Sequence, residues 1–210
     1  QDDSKSGFFK VDFRHDLFKS DSSYQYFRPV DLEFAPDGSL YLIDWSNVLI
    51  GHMQHSARDP KRDHQHGRVY RVTYPSRPLV PIAKVAGASI DTLLENLKLP
   101  EIRTRYRTRR ELRGRDHDQV ETAVKAWTGR LNPNDPRYEH HLLEALWVLW
   151  GIERVEKTLV DFLLKAKDYR ARTAAVRVVR YNADKLGSDV ANYLLAAAAD
   201  DHPQVRHEAL

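Results

Sequence analysis

Three aspartates, Asp135, Asp168 and Asp201, stand 33 residues apart, each at the head of a segment with helical spacing. Two further stretches obey nearly the same interval. "RARTAAV" (170–176) aligns with "QVRHEAL" (204–210) at a shift of 34, and "DHDQV" at 116 resembles "DHPQV" at 201. A period of this length in an apolar-patterned chain means stacked helical hairpins, because one hairpin cannot bury its own apolar face and must lean on the next. The spacing predicts helices over 90–98, 101–114, 117–131, 137–150, 153–166, 169–181, 187–200 and from 203 onward. Pro100, Pro136 and Pro203 fall at or near helix starts, where a missing N–H costs little. Leu142, Leu143, Leu146, Leu149 and Trp150 make one broad apolar stripe, and Leu159, Phe162, Leu163 and Ala166 make another.

Before Tyr74 the period is two. "RPVDLEF" sets Val30, Leu32 and Phe34 on one face against Asp31 and Glu33 on the other, the pattern of a half-buried strand. "APDGS" supplies Pro36 for a fixed φ and Gly38 for a positive one. "SLYLIDW" and "GRVYRVTY" read as two more strands, and "GFFKVDF" with Leu17 to Lys19 as strands of a neighbouring sheet. So few short antiparallel strands cannot cover their edges, which predicts one unit of a repeated β architecture. "YPSRPLVP" is proline-punctuated linker. The chain thus reads as α+β, mostly α: antiparallel strands over 1–74, a linker over 75–89 and helical repeats over 90–210, cut short at the C-terminal end.

With 41% hydrophobic residues the chain can bury a core, and its net charge of +3 is mild. The absence of cysteine excludes disulfides, thiolate metal sites, a cysteine nucleophile and covalent c-type haem attachment within these 210 residues. No stretch reaches the ~20 apolar residues of a membrane helix. A start at Gln1 and a stop on a helix opening at "DHPQVRHEAL" are expected of an internal piece of a longer protein.

"DHPQVRHEAL" resembles the opening of a HEAT repeat, with an acidic cap, a proline in the first turn, then Val-Arg and a small residue. "YFRPVDLEFAPDGSLYLIDWSNVLIGHMQHSARDPKRDHQHGRVYRVTY" (26–74) resembles the last-blade region of large planctomycete-type bacterial proteins described as membrane-bound dehydrogenase-domain or haem-binding proteins. These are similar in turn to glucose/sorbosone dehydrogenase β-propellers. "PRYEHHLLEALWVLWG" (136–151) resembles the family's helical region. The resemblance implies a terminal β-propeller blade of antiparallel strands followed by a HEAT-like α-solenoid. It implies a parent that is a sugar or alcohol dehydrogenase-like oxidoreductase of the periplasm or another extracytoplasmic space, using pyrroloquinoline quinone and c-type haem. The partners it implies are the rest of the propeller and a cytochrome-like domain. With at most one blade and no haem motif, this chain is expected to hold no cofactor and to turn nothing over by itself.

The most suggestive chemistry lies in "HMQHSARDPKRDHQHGR" (52–68), where three readings stay open. Long loops need internal hydrogen bonds, and Arg58, Asp59, Arg62 and Asp63 can supply them. Alternatively the loop lines a ligand with His52, His55, Arg58, Arg62, His64 and His66. A third reading is a metal site: His52 and His55 share a face of a helical turn, His64 and His66 a face of a strand, and Asp59 or Asp63 would add a carboxylate. Asp37 and Asp44 of "APDGSLYLIDW" invite a calcium reading but suit turn-fixing better. "EIRTRYRTRRELRGR" offers Arg103, Arg105, Arg107, Arg109 and Arg110 to an anion or an acidic protein partner. Helical spacing spreads these arginines around the axis, and Glu101 and Glu111 dilute them, so nucleic acid is disfavoured. His140 and His141 beside Glu139 and Glu144 read as a solvated helix face.

The leading expectation is a non-catalytic segment that closes a propeller, contributes a rim loop and presents a helical docking scaffold. The alternative is a helical-repeat module that binds protein or an anion through 101–115. Unpaired sheet edges predict that 88–210 folds better alone than 1–80 does. A soluble 1–80 fragment that melts cooperatively in calorimetry contradicts this.

Overall fold

A computed structural model of the chain describes Phe18 and residues 26–46, 58–60 and 63–210. Among the described residues the protein is mostly helical, with one small antiparallel sheet. The described residues up to Ala83 belong to one compact unit and Lys84–Leu210 to a second. The expected strands at "GFFKVDF" and around Leu17 lie outside the described residues.

In the first unit, β1 (Pro29–Phe34), β2 (Leu40–Asp44) and β3 (Arg68–Val72) pair antiparallel in that order. The β1–β2 turn is the expected one: Gly38 takes φ +81, and Ala35 exchanges backbone hydrogen bonds with Gly38 and Ser39. Asp37 locks it by accepting from the Ser39 N–H at 2.9 Å and the Ser39 hydroxyl at 2.6 Å. Register places Leu32 opposite Leu42 and Phe34 opposite Leu40, and Leu42 and Leu40 oppose Tyr70 and Val72. All six therefore share one face. Leu40 and Leu42, on the central strand, are buried, but Val30, Leu32 and Phe34 are 60%, 52% and 55% exposed. The half-buried strand expected at β1 is thus corrected. Among the described residues β1 is an edge strand of the sheet.

In the second unit all eight expected helices are present, with one added turn. They are α1 (Ile90–Asn96), α2 (Ile102–Arg113), α3 (His117–Gly129), α4 (Tyr138–Gly151), α5 (Lys157–Leu163), α6 (Tyr169–Tyr181), the short α7 (Ala183–Leu186), α8 (Asp189–Ala198) and α9 (Pro203–Glu208). Helices α2, α4, α6 and α9 form a row, each packed on the next, and α1, α3, α5 and α8 lie against that row. α4 is apolar on nearly every side, as a helix must be to be covered by α2, α3, α5 and α6 together. Leu142, Leu146 and Leu149 from α4 meet Leu112, Trp127, Leu163 and Val179 in one continuous core. Each buried leucine contributes roughly 1.5–3 kcal/mol of burial. The helix expected to begin at 153 begins at Lys157, because Glu153 turns left-handed at φ +61. Its N–H donates to Trp150 O, and Arg154 N–H to Leu149 O, which closes α4 in a Schellman motif.

The sequence period has a physical counterpart at the heads of the first-row helices. Glu101, Asp135, Asp168 and His202 recur every 33 or 34 residues, and each accepts the N–H two positions on. Asp201, expected to open the last helix, leaves that role to His202, whose Nδ1 accepts from Gln204 N–H at 3.2 Å. Four residues after three of these caps stands an arginine. Arg105 donates to Leu99 O and Pro100 O at 2.8 and 2.7 Å, Arg172 to Ala166 O and Lys167 O at 2.9 and 3.2 Å, and Arg206 to Asp200 O and Asp201 O at 2.8 and 3.0 Å. Each thereby satisfies carbonyls just past the preceding helix, where helix ends leave acceptors without partners. After Asp135 the equivalent residue is Glu139, and the direction reverses: its carboxylate receives the N–H groups of Lys167 and Asp168.

Arg172 also grips Asp200 through two bonds of 2.8 Å. Burial alone would raise the Asp200 pKa, but Arg172 and the His202 N–H override it and bring it down to about 2. The folded value lies below the unfolded one, so this stabilisation is complete above about pH 4 and is lost as pH falls towards 2. Arg172→Ala is expected to cost roughly 3 kcal/mol in urea denaturation at pH 7, since it leaves Asp200 largely buried and unpaired. The deficit should shrink in the same titration carried to pH 3, where the carboxylate begins to protonate in the variant.

Candidate functional site

Of the histidine loop, His52, His55 and Arg62 lie outside the described residues; Arg58, Asp63, His64 and His66 lie within them, and all four are exposed. Asp63 organises the loop's end. Its Oδ1 accepts the N–H groups of Gln65 and His66 at 2.9 and 3.1 Å, and its Oδ2 meets His66 Nδ1 at 2.7 Å. These bonds, the Gln65 N–H first and then His66, hold the Asp63 carboxyl below its usual range. The local product is an oriented imidazole with a free Nε2 edge, fixed by an Asx-type turn that leads into β3. Among the described residues no group of three or more His, Asp or Glu side chains comes together to hold a metal. Asp44 is buried, and accepts the N–H groups of Arg28 and Ser46 at 2.8 and 2.7 Å and the Tyr70 hydroxyl at 3.4 Å. Asp37 holds the turn and Arg71. Both carboxylates therefore fix chain geometry, the turn-fixing role expected of them.

The arginine-rich segment forms α2, and the structure divides its arginines by face. Arg105 and Arg109 point inward and converge on Glu144 of α4. Arg105 Nε reaches Glu144 Oε1 at 2.9 Å, and Arg109 Nη1 bonds Oε2. Glu144 is fully buried, and its charge is tolerable there because two guanidiniums face it. Arg103, Arg107 and Arg110 share the outer face at helical spacing and are exposed. Arg107 lies 3.9 Å from Glu101, and Arg110 lies over the Tyr106 ring. The five arginines offered as anion-binding candidates are thus divided around the helix as their spacing implies, two in a buried ion-pair node and three outside.

The solvated face expected at His140 and His141 is corrected as well. His141 and Glu144 are buried and His140 is half-buried, because α4 is enclosed on both flanks. His140 Nε2 stands 3.5 Å from Glu144 Oε1. Burial pushes His140 down to about 4, with the positive charges of Arg105, Arg137 and Arg109 and neighbouring His141 acting in the same direction.

A groove opens where α2 and α4 end. Arg109 and Arg113 of α2, Trp147, Trp150 and Gly151 of α4, and Glu153 of the left-handed cap line a space of about 520 Å³. The Arg109 guanidinium lies 5.1 Å from the centre of the Trp147 ring, and Trp150 leans on Tyr181 of α6 at 5.7 Å. Reading the sequence for apolar stripes places Trp150 in the core and passes over this set. The signal that could have found it is Trp147 and Trp150 one turn apart directly before a glycine.

Residues 11–76 match the model of a family described as a domain of unknown function (DUF7133). The match spans the three described strands and the histidine loop and stops before the first helix of the second unit, α1. Neither the curated proteins nor the solved structures include one that matches the chain.

The His140 environment makes a sign-definite prediction. The folded pKa is below the unfolded value of about 6.5, so the unfolded chain takes up the proton first as pH falls. Stability is complete above about pH 6.5 and declines towards pH 4. His140→Gln should flatten the melting temperature across pH 6.5–4, and an unchanged slope in scanning calorimetry refutes the assignment.

Proposed function

We propose that this chain is a non-catalytic segment of an extracytoplasmic, dehydrogenase-like protein. In this reading its sheet is the terminal blade of a β-propeller, and its helices are a HEAT-like docking scaffold. The observation that carries the reading is the apolar face of β1, with Leu32 and Phe34 half or more exposed on a strand that forms an edge of the sheet among the described residues. A sheet of this kind is a part that needs further strands beside or above it. The resemblance of 26–74 to last-blade regions supplies the architecture in which such strands exist. The oriented His66–Asp63 pair supports a rim role for the loop, in which His64, His66 and Arg58 border a ligand held by the parent protein. The arginine staples and caps at 33–34 residues support HEAT-like stacking, whose use is an extended surface for a protein partner such as a cytochrome-like domain. Quinone and haem belong to the parent protein; the chain supplies no cysteine for haem attachment.

A second reading, an anion- or protein-binding helical module, is favoured by one observation: Arg103, Arg107 and Arg110 share the exposed face of α2. Salt separates the two. Phosphate-driven binding weakens steeply between 50 and 200 mM salt in the manner of counterion release, and a docking surface that buries apolar groups does not.

The direct test is quinone and metal analysis of the parent protein purified without chelator, beside its His64→Ala/His66→Ala variant and the 210-residue chain alone. The parent is expected to carry a stoichiometric ligand, the variant to hold less of it and the isolated chain to hold none. A parent that carries neither quinone nor metal, or an isolated chain that oxidises sugars with added quinone, sinks the reading.

A further inference from the structure

The groove between α2 and α4 has a composition that selects a ligand class, and it stands on the helical unit alone, whatever the parent protein does. Its charges are arranged in a particular way. Arg109 is paired with Glu144 beneath it, a carboxylate that Arg105 shares. Arg113 and Glu153 have no ion-pair partner among the described residues, and no ion pair joins them to each other. One donor group, Arg113, and one acceptor group, Glu153, of opposite charge therefore flank the two indoles.

A phosphate-rich ligand would meet one unpaired arginine and be repelled by Glu153, and a cationic peptide would meet the reverse. A ligand with an apolar face, hydroxyls around its rim and no charge satisfies both ends and lies flat on the indoles. The volume of about 520 Å³ lies within the range of small-molecule sites. Gly151 borders the groove on open space, since a Cβ placed there would find no atom within 4 Å.

Glu153 gives an independent indication. It occupies the left-handed position that closes α4, where glycine or asparagine is the unstrained choice. Glycine stands two residues earlier, at Gly151, where the backbone does not require it. The strained glutamate and the dispensable glycine exchange local stability for a carboxylate at the groove's end and open space at its border. Such an exchange is the mark of a site, not of packing.

We propose that the groove lined by Arg109, Arg113, Trp147, Trp150, Gly151 and Glu153 binds a neutral oligosaccharide, with sugar rings stacked on the indoles and hydroxyls hydrogen-bonded to Arg113 and Glu153. The probes are neutral gluco-, manno-, galacto- and xylo-configured pentasaccharides on an array, followed by titration of the intact chain with each hit, read by tryptophan fluorescence and calorimetry. Inorganic polyphosphate serves as the anionic control. At least one neutral pentasaccharide is expected to bind, with little change in affinity as salt is raised.

Two variants separate the site from the fold. Gly151→Leu adds a side chain into open space and is expected to keep the melting temperature while lowering affinity by about tenfold or more. Glu153→Gly relieves the left-handed glutamate and is expected to raise the melting temperature while weakening binding by about fivefold, as loss of one hydrogen bond does. Absence of every neutral pentasaccharide from the hits overturns the proposal. So does salt-sensitive binding of polyphosphate in their place, or sugar binding that Gly151→Leu leaves intact.

Discussion

Glu144 is a carboxylate buried in the middle of the helical unit, and the helices around it are arranged to meet it. Two guanidiniums from α2 reach it across the row, and one of them, Arg105, continues to the carbonyls of Leu99 and Pro100. A single arginine thereby ties the turn between α1 and α2 to the middle of α4. The attraction is directional: it fixes the rotation of α4 as well as its distance from α2. Trp147 and Trp150 face the groove, and His140 and His141 face inward, because that rotation is set. An apolar residue of similar size at 144 would fill the space without selecting which side of α4 meets α2, so the pair contributes more to uniqueness of packing than to net stability.

The same economy of means recurs along the chain. Arg172 and Arg206 repeat the carbonyl contacts of Arg105, and Glu139 performs the converse with N–H groups. Helical hairpins joined this way depend on polar atoms at their turns and apolar atoms between their rows. The two kinds of contact act at different positions of one period. Replacing a leucine therefore loosens one layer, whereas removing a staple frees one turn.

Much of this was legible in the sequence. Helix positions could be read from 3.6-residue spacing, and the repeat from Asp135, Asp168 and the shifted "RARTAAV" motif, because packing and caps leave marks on local residue order. The turn at Gly38 was legible for the same reason. The α2–α4 node was not. Arg105, Arg109 and Glu144 are far apart in sequence, and an arginine that faces inward has the same letter as one that faces water. The half-buried reading of β1 failed for a related reason: alternation shows that a strand has an apolar face but not what covers it. The groove escaped because tryptophan counts as core in any hydropathy pattern. The histidine loop was legible as polar chemistry, but its convergence on a point is a three-dimensional property, and of its six expected ligand-lining residues only Arg58, His64 and His66 are among those described.

Among the described residues no strand pairs with the outer edge of β1, and this has a consequence for self-association. Its outer positions alternate Leu32 and Phe34 with Asp31 and Glu33. If two copies met along this edge as antiparallel strands centred on Leu32, each Asp31 would oppose the other copy's Glu33, and like charges directly across a strand pair are destabilising. The strand that exposes apolar surface to a future neighbour thus carries its own safeguard against being that neighbour. A strand presenting lysine or arginine at the facing positions would meet attraction where a second copy meets repulsion.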